Sequence, residues 1–237
     1  MNKIVQYNEL PEKEFIIETG MHHKIYLLSN GLKYKEYNKK DPSFIKSPYN
    51  KELIQSLKEQ INTTSPLISF PTSIVLNKRT LYGTISKFET GDTLENIDQD
   101  TNIFKLLKQI YQAEIEIERL SKEGWLLDDI NSKNIIVNTK LPEYTFKIID
   151  TDYYVKRTDA KYEELIKLNR SQLMAALIDA LIPLIAISDT SHNKKIYNYY
   201  LLAINGKIKP TEFFYELIEL ISKRNEISTV LELRKSL

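Results

Sequence analysis

Cysteine is absent from this chain of 237 residues. Disulfides, thiolate metal sites and cysteine nucleophiles are therefore excluded together. Histidine is scarce, with two of the three adjacent at His22 and His23, too few and too close for a histidine-rich metal centre. Charge of one sign is lacking as well, because 33 basic and 32 acidic residues leave a formal net charge of +1. That balance supplies no overall field to attract nucleic acid or an anionic membrane, so neither partner is expected. Long apolar runs are missing. The opening residues, MNKIVQYNELPEKEF, hold no apolar core of the signal-peptide kind. The most apolar run, Leu173 to Ile187, is interrupted by Asp179 and Pro183 and falls short of the ~20 residues an ordinary membrane helix needs. A reducing, aqueous, cytoplasmic setting is expected. With 42% hydrophobic residues the chain can bury a sizeable core, as one two-lobed unit or two small domains.

What is present is concentrated between Asp129 and Asp152. The stretch runs Asp129-Ile130-Asn131-Ser132-Lys133-Asn134, then the apolar run Ile135 to Val137, a break at Asn138 to Glu143, a second apolar run Phe146 to Ile149, and Asp150-Thr151-Asp152. Two short β-type runs joined by a proline-containing turn predict a hairpin. Acidic and amide side chains at its mouth suit Mg²⁺, because hard divalent cations prefer carboxylate and amide oxygens.

Upstream, Phe15 to Ile17, Lys24 to Leu28 and Leu32 to Tyr37 read as successive strands, the last two joined at Ser29-Asn30-Gly31. Period two puts Lys33, Lys35 and Tyr37 on one face of the third strand and Tyr34 and Glu36 on the other. Leu53, Ile54 and Leu57 at helical spacing predict a helix over Tyr49 to Gln60, carrying Glu52 and Glu59. Ser73 to Leu76 and Thr80 to Lys87 form a second strand pair. Phe88-Glu89-Thr90 then leads to Gly91-Asp92-Thr93, which is expected to open a helix. Ile103, Leu106, Ile110, Ala113, Ile117 and Leu120 predict a long amphipathic helix over Asn102 to Lys122, with Gly124 at its stop. Beyond Asp152, helices are expected near Tyr162 to Leu168, over Leu173 to Ile187, and over Phe213 to Ser222 and Val230 to Leu237.

An Asp followed five residues later by an Asn, then a hairpin ending in Asp, resembles the catalytic loop and metal-binding segment of the protein-kinase-like superfamily. The order of the upstream elements resembles it too. The resemblance implies an α+β, two-lobed protein-kinase-like fold, with an N-lobe of small antiparallel sheet and one helix (1–88) and a mainly helical C-lobe (89–237). It implies that Asp129 is the catalytic aspartate beside the acceptor hydroxyl, Asp128 being the adjacent alternative. Asn134 and Asp150 would hold Mg²⁺ or Mn²⁺, with Asp152 a further ligand. Lys35 would meet the α- and β-phosphates of ATP, oriented by Glu52, with Glu59 the runner-up. Gly20 would lie in the loop covering the phosphates, Ile25 would take the hydrophobic position after it, the main chain of Lys87, Phe88 and Glu89 would meet the adenine edge, and Ser86 would stand at the gate of the pocket. Departures are plain. Leu127-Asp128 stands where His-Arg is usual, Thr151-Asp152 replaces Phe-Gly, Gly20 is the single survivor of three loop glycines, and no Ala-Pro-Glu follows.

The expected activity is transfer of the γ-phosphoryl group of Mg-ATP to a hydroxyl by an atypical, minimal Ser/Thr protein kinase, with a nucleotide and a protein substrate as partners. Two alternatives stay open. One is a small-molecule kinase resembling the aminoglycoside and choline phosphotransferases; the other is a pseudokinase that binds nucleotide or protein without transfer. Neither the acceptor nor the oligomeric state is encoded in any motif.

Overall fold

The computed structural model describes residues 3–19, 23–37, 49–78, 80–182, 194–222 and 227–236. The chain is mixed α+β and divides into two compact units. The first is Met1–Glu89 together with Asp150–Tyr153; the second is Thr90–Ile149 with Tyr154–Leu237.

The first unit holds one six-stranded sheet. Its strands are β1 (Ile4–Gln6), β2 (Lys13–Thr19), β3 (His23–Leu28), β4 (Leu32–Tyr37), β5 (Ser73–Asn77) and β6 (Thr80–Lys87), in spatial order β1-β5-β6-β4-β3-β2. Among the described residues one helix, α1 (Tyr49–Gln60), packs on it. The sheet is not purely antiparallel as expected, because β1 runs parallel to β5, pairing Ile4 with Ile74 and Gln6 with Leu76. Three residues are too few to carry a periodic signal, so β1 escapes sequence reasoning. Period two sorts the faces as predicted. On one side Tyr37 and Ile74 join Leu53 and Leu57 of α1 in a buried cluster, and on the other Tyr34, Val75, Ile85 and Leu28 form a second. The Gly31 turn (φ +76) needs the left-handed conformation that glycine adopts without steric cost.

The second unit is built on α2 (Ile103–Lys122). All six apolar positions predicted to face inward are buried. Asn102 caps its start, accepting from the Lys105 N–H at 2.9 Å, and Gly124 (φ +88) follows its end. A three-stranded sheet joins β7 (Asp92–Thr93), β9 (Ile135–Asn138) and β10 (Thr145–Ile148), and β8 (Trp125–Leu126) pairs with β11 (Val155–Lys156). Gly91-Asp92-Thr93 does not open a helix. Asp92 and Thr93 pair with Val137 and Ile136, and a single 3₁₀ turn, Leu94–Asn96, follows. Gly91 (φ +144) lies so close to β9 that a Cβ there would stand 2.5 Å from the Val137 carbonyl oxygen, which ties this stretch to the sheet.

Downstream, the two helices expected at Tyr162 to Leu168 and Leu173 to Ile187 are one, α3 (Tyr162–Leu181); residues 183–187 lie outside the described residues. The polar run Asn169 to Gln172 lies inside this helix, where the Asn169 and Gln172 side chains turn inward to hold the preceding loop. Among the described residues three further helices follow: α4 (Lys194–Ile204), which no pattern announced, α5 (Pro210–Ser222) and α6 (Val230–Ser236). Buried Glu114 of α2 receives the Thr211 N–H and hydroxyl, both at 2.7 Å, at the first turn of α5, where a carboxylate complements the helix dipole. Among the described residues no helix is long and apolar enough to cross a membrane.

Candidate functional site

In the first unit the polar centre is Lys35. The ladder sets it opposite Ile25 on β3 and Thr84 on β6, and residues directly opposed share a face, so all three project to the side that α1 covers. The Lys35 side chain is only 9% exposed, and its ammonium bridges two carboxylates, Asp150 and Asp152, the latter at 2.8 Å. Burial by itself would lower this amine. The Asp152 and Asp150 carboxylates outweigh burial and hold it above the ordinary lysine value. Burial would likewise raise Asp150, but Lys35, helped by Lys33 and His23, keeps its carboxyl below the usual range.

The segment carrying both aspartates is stitched down by side chains distant in sequence. The Tyr37 hydroxyl donates to Asp152 at 2.8 Å. Burial, then Asp152, pushes the Tyr37 phenol well up, so it remains a donor. Between the aspartates, Thr151 is held twice by fully buried Gln60, whose amide donates to the Thr151 carbonyl at 2.9 Å and accepts its hydroxyl. Asp150 itself has φ +60, a left-handed conformation uncommon outside glycine. The aspartates, Lys35, Lys33, Ser69, Thr84 and Ser86 line a small open pocket of about 20 Å³.

In the second unit the Asp129 loop is organised by amides. Asp129 is exposed and also left-handed, at φ +66. The Asn131 amide donates to its carboxylate at 2.9 Å, and the Asn134 amide donates to its carbonyl at 3.1 Å and its carboxylate at 3.3 Å. The five-residue spacing thus brings Asp129 and Asn134 into contact. Asp128 is engaged differently, accepting the Asp129 N–H at 3.0 Å and the Gln172 amide. Helix α3 anchors the loop from beneath. Fully buried Asn169 accepts the Leu127 N–H at 2.8 Å and donates to the Trp125 carbonyl and the Ser121 hydroxyl, both at 2.9 Å, while Asp179 receives the Ser132 hydroxyl.

The remaining expected residues divide. Gly20 and the Glu52 side chain lie outside the described residues. The runner-up Glu59 accepts from Gln55 at 3.0 Å, within its own helix. The main chain of Lys87 sits in the ladder opposite Leu32, its exposed amine 3.6 Å from Glu89, which also accepts from Ser69 at 3.3 Å. Phe88 is half-buried and Ser86 is buried, facing Lys33 across the ladder.

In donor type Asp150 and Asp152 of the first unit and, separately, Asn134 of the second carry the side-chain oxygens a hard divalent cation prefers. Among the described residues no group of three or more His, Cys, Asp or Glu side chains could hold a metal, so any such ion would need amide, water or phosphate oxygens as well. No protein-family model matches this chain, and no curated protein sequence matches it either.

Sequence reasoning missed the supporting residues. Tyr37 was placed on the face of Lys35 without a role, and its signal was period two. Asn169, Gln172 and Asp179 recur three and seven residues apart along one helical face inside an apolar stretch, which was a legible sign of inward polar contacts. Gln60 gave none, because its partner lies 91 positions away.

Proposed function

We propose that this protein is an ATP-dependent phosphotransferase of the protein-kinase-like kind, transferring the γ-phosphoryl group of Mg-ATP to a hydroxyl, in the first instance a serine or threonine of a protein. One observation carries the reading. A buried lysine on β4 is ion-paired to an aspartate 115 residues later, just past the hairpin of β9 and β10. The desolvation cost of burying a cation with two carboxylates can exceed the Coulombic gain, so stability alone does not account for the cluster, and left-handed non-glycine residues concentrate at functional sites. Here both Asp129 and Asp150 are of that kind.

The chemistry assigned to these residues is positioning and charge neutralisation. Lys35 holds the α- and β-phosphates. Asn134 and Asp150 are the residues for Mg²⁺ or Mn²⁺, which supplies neutralisation of the phosphate oxygens when bound. Asp129 orients the acceptor hydroxyl and takes its proton as the oxygen bonds to the γ-phosphorus, while the bond from that phosphorus to the β–γ bridging oxygen breaks and ADP leaves. The exposure of Asp129 leaves it accessible to an acceptor, and its two amide neighbours fix its direction.

A second reading is a module that binds nucleotide or protein without transfer. The neutralisation of Lys35 by two carboxylates favours it, because phosphates must compete for that amine. Incubation with γ-labelled ATP and Mg²⁺, using wild type and Asp150→Ala, separates the readings. Label on protein that vanishes in the variant is the expected result. Label on added small alcohols alone assigns a small-molecule kinase. Nucleotide binding without turnover assigns the binding module, and neither binding nor turnover removes the nucleotide reading altogether.

A further inference from the structure

The two carboxylates on Lys35 are not equivalent. Asp152 is tied on its other oxygen by the hydroxyl of Tyr37, a residue only 3% exposed within the core under α1. The peptide before it is fixed by Gln60, itself hydrogen-bonded to Ser56 at 3.0 Å. Swinging the Asp152 side chain away from Lys35 would therefore break its buried hydrogen bond from Tyr37. Asp150 has no such second anchor among the described residues. Its side chain is 28% exposed against 16% for Asp152, and it stands on a left-handed backbone at the end of β10.

We propose that Asp152, fixed by Tyr37, is the positioning residue that orients Lys35, and that Asp150 alone of the pair is available to a cation. This rests on the nucleotide reading of the site and gives Asp152 a different task from the metal ligand expected of it. It also places the orienting carboxylate on the segment after the second hairpin, two residues from Asp150, so that lysine and cation-binding carboxylate are set by one anchored peptide.

The test uses the full chain and two measurements on Asp152→Asn, Asp152→Glu, Tyr37→Phe and Asp150→Asn. The first is acylation of Lys35 by a trace amine-reactive anhydride, read by mass spectrometry without nucleotide. Removing the Asp152 charge frees the amine, so its reactivity should rise at least about ten-fold in Asp152→Asn. Tyr37→Phe, which keeps the ring and its packing, should give a smaller rise, and Asp152→Glu should recover part of the protection. The second is the Mg²⁺ dependence of phosphoryl transfer. Asp152→Asn should lower turnover while the half-saturating Mg²⁺ stays within about two-fold of wild type, whereas Asp150→Asn should raise it about ten-fold or more. Unchanged labelling in Asp152→Asn, or a rise in its Mg²⁺ requirement matching that of Asp150→Asn, overturns the proposal. If wild type neither binds nor turns over Mg-ATP, the nucleotide reading fails, and labelling still decides whether Asp152 governs Lys35.

Discussion

The aspartates of the two units are held in opposite ways. Asp150 and Asp152 are neutralised by a buried lysine and fixed by residues from a strand and a helix far away in sequence. Asp129 is exposed and steered by amides two and five residues ahead, with no cation on it among the described residues. Opposite charge makes the first cluster part of what stabilises its unit. Only neutral amide donors meet the Asp129 carboxylate among the described residues, which suits the proton-accepting role proposed for it.

The largest expected effect follows from that contrast. Asp129→Asn keeps the shape, and asparagine tolerates the left-handed backbone. Its stability should stay within about 0.5 kcal/mol of wild type, while phosphoryl transfer should fall about 10²–10⁴-fold. Denaturant melts beside a transfer assay check both halves, and a collapse of the fold would erase the proposed distinction between the units.

Lys35→Met should behave the other way. Leaving two carboxylates facing each other in a largely buried place should cost about 3–5 kcal/mol of stability. Urea unfolding measures it, and a loss under about 1 kcal/mol would mean the pair is solvated like a surface bridge. Restoring part of the stability with Lys35→Met combined with Asp152→Asn would sharpen the point, since contacting residues couple.

Between these lies Asn169→Leu in the second unit. The substitution fills similar space but strands the Leu127 N–H, at about 1–3 kcal/mol for the unsatisfied group, and removes the amide that meets the Trp125 carbonyl. Because the lost contacts hold the loop, transfer should drop along with stability, unlike in Asp129→Asn. Amide exchange at Leu127 gives a local readout of the freed N–H.

These residues also mark where the sequence is legible. Tyr49 to Gln60 and Thr80 to Lys87 were bounded correctly because period and turn chemistry are local. The five-residue spacing of Asp129 and Asn134 was equally visible, as both sit in one loop, while the amide-to-carboxylate contact it makes was not expected. Tyr37, Gln60 and Asn169 were not given their roles. Each reaches a partner 42 or more positions away, and no periodicity reports which loop a buried amide or phenol will reach. Helix α3 stands where two helices were expected, and the polar side chains in its middle serve a loop that no sequence pattern names.

The smallest expected effect is on pH dependence, where the two units should separate again. Asp150 has a folded pKa below its unfolded value of about 3.9, so its contribution is complete above that value and is lost as pH falls through the depressed one. Lys35 is raised, so its contribution is complete below the ordinary lysine value of about 10.4 and is lost only as pH climbs beyond it. The ion pair therefore stays intact across the neutral range, and its signature is confined to acid below about pH 4 and to strong alkali. Comparing wild type with Asp150→Asn in urea melts from pH 7 down to pH 2 isolates the acid limb. The wild type should be the more stable at pH 7, and the difference should shrink steadily below pH 4 as Asp150 takes up its proton. A difference that is flat with pH would mean that Lys35 does not hold Asp150 ionised, and the contrast between a charge-neutralised and an amide-steered aspartate would lose its electrostatic basis.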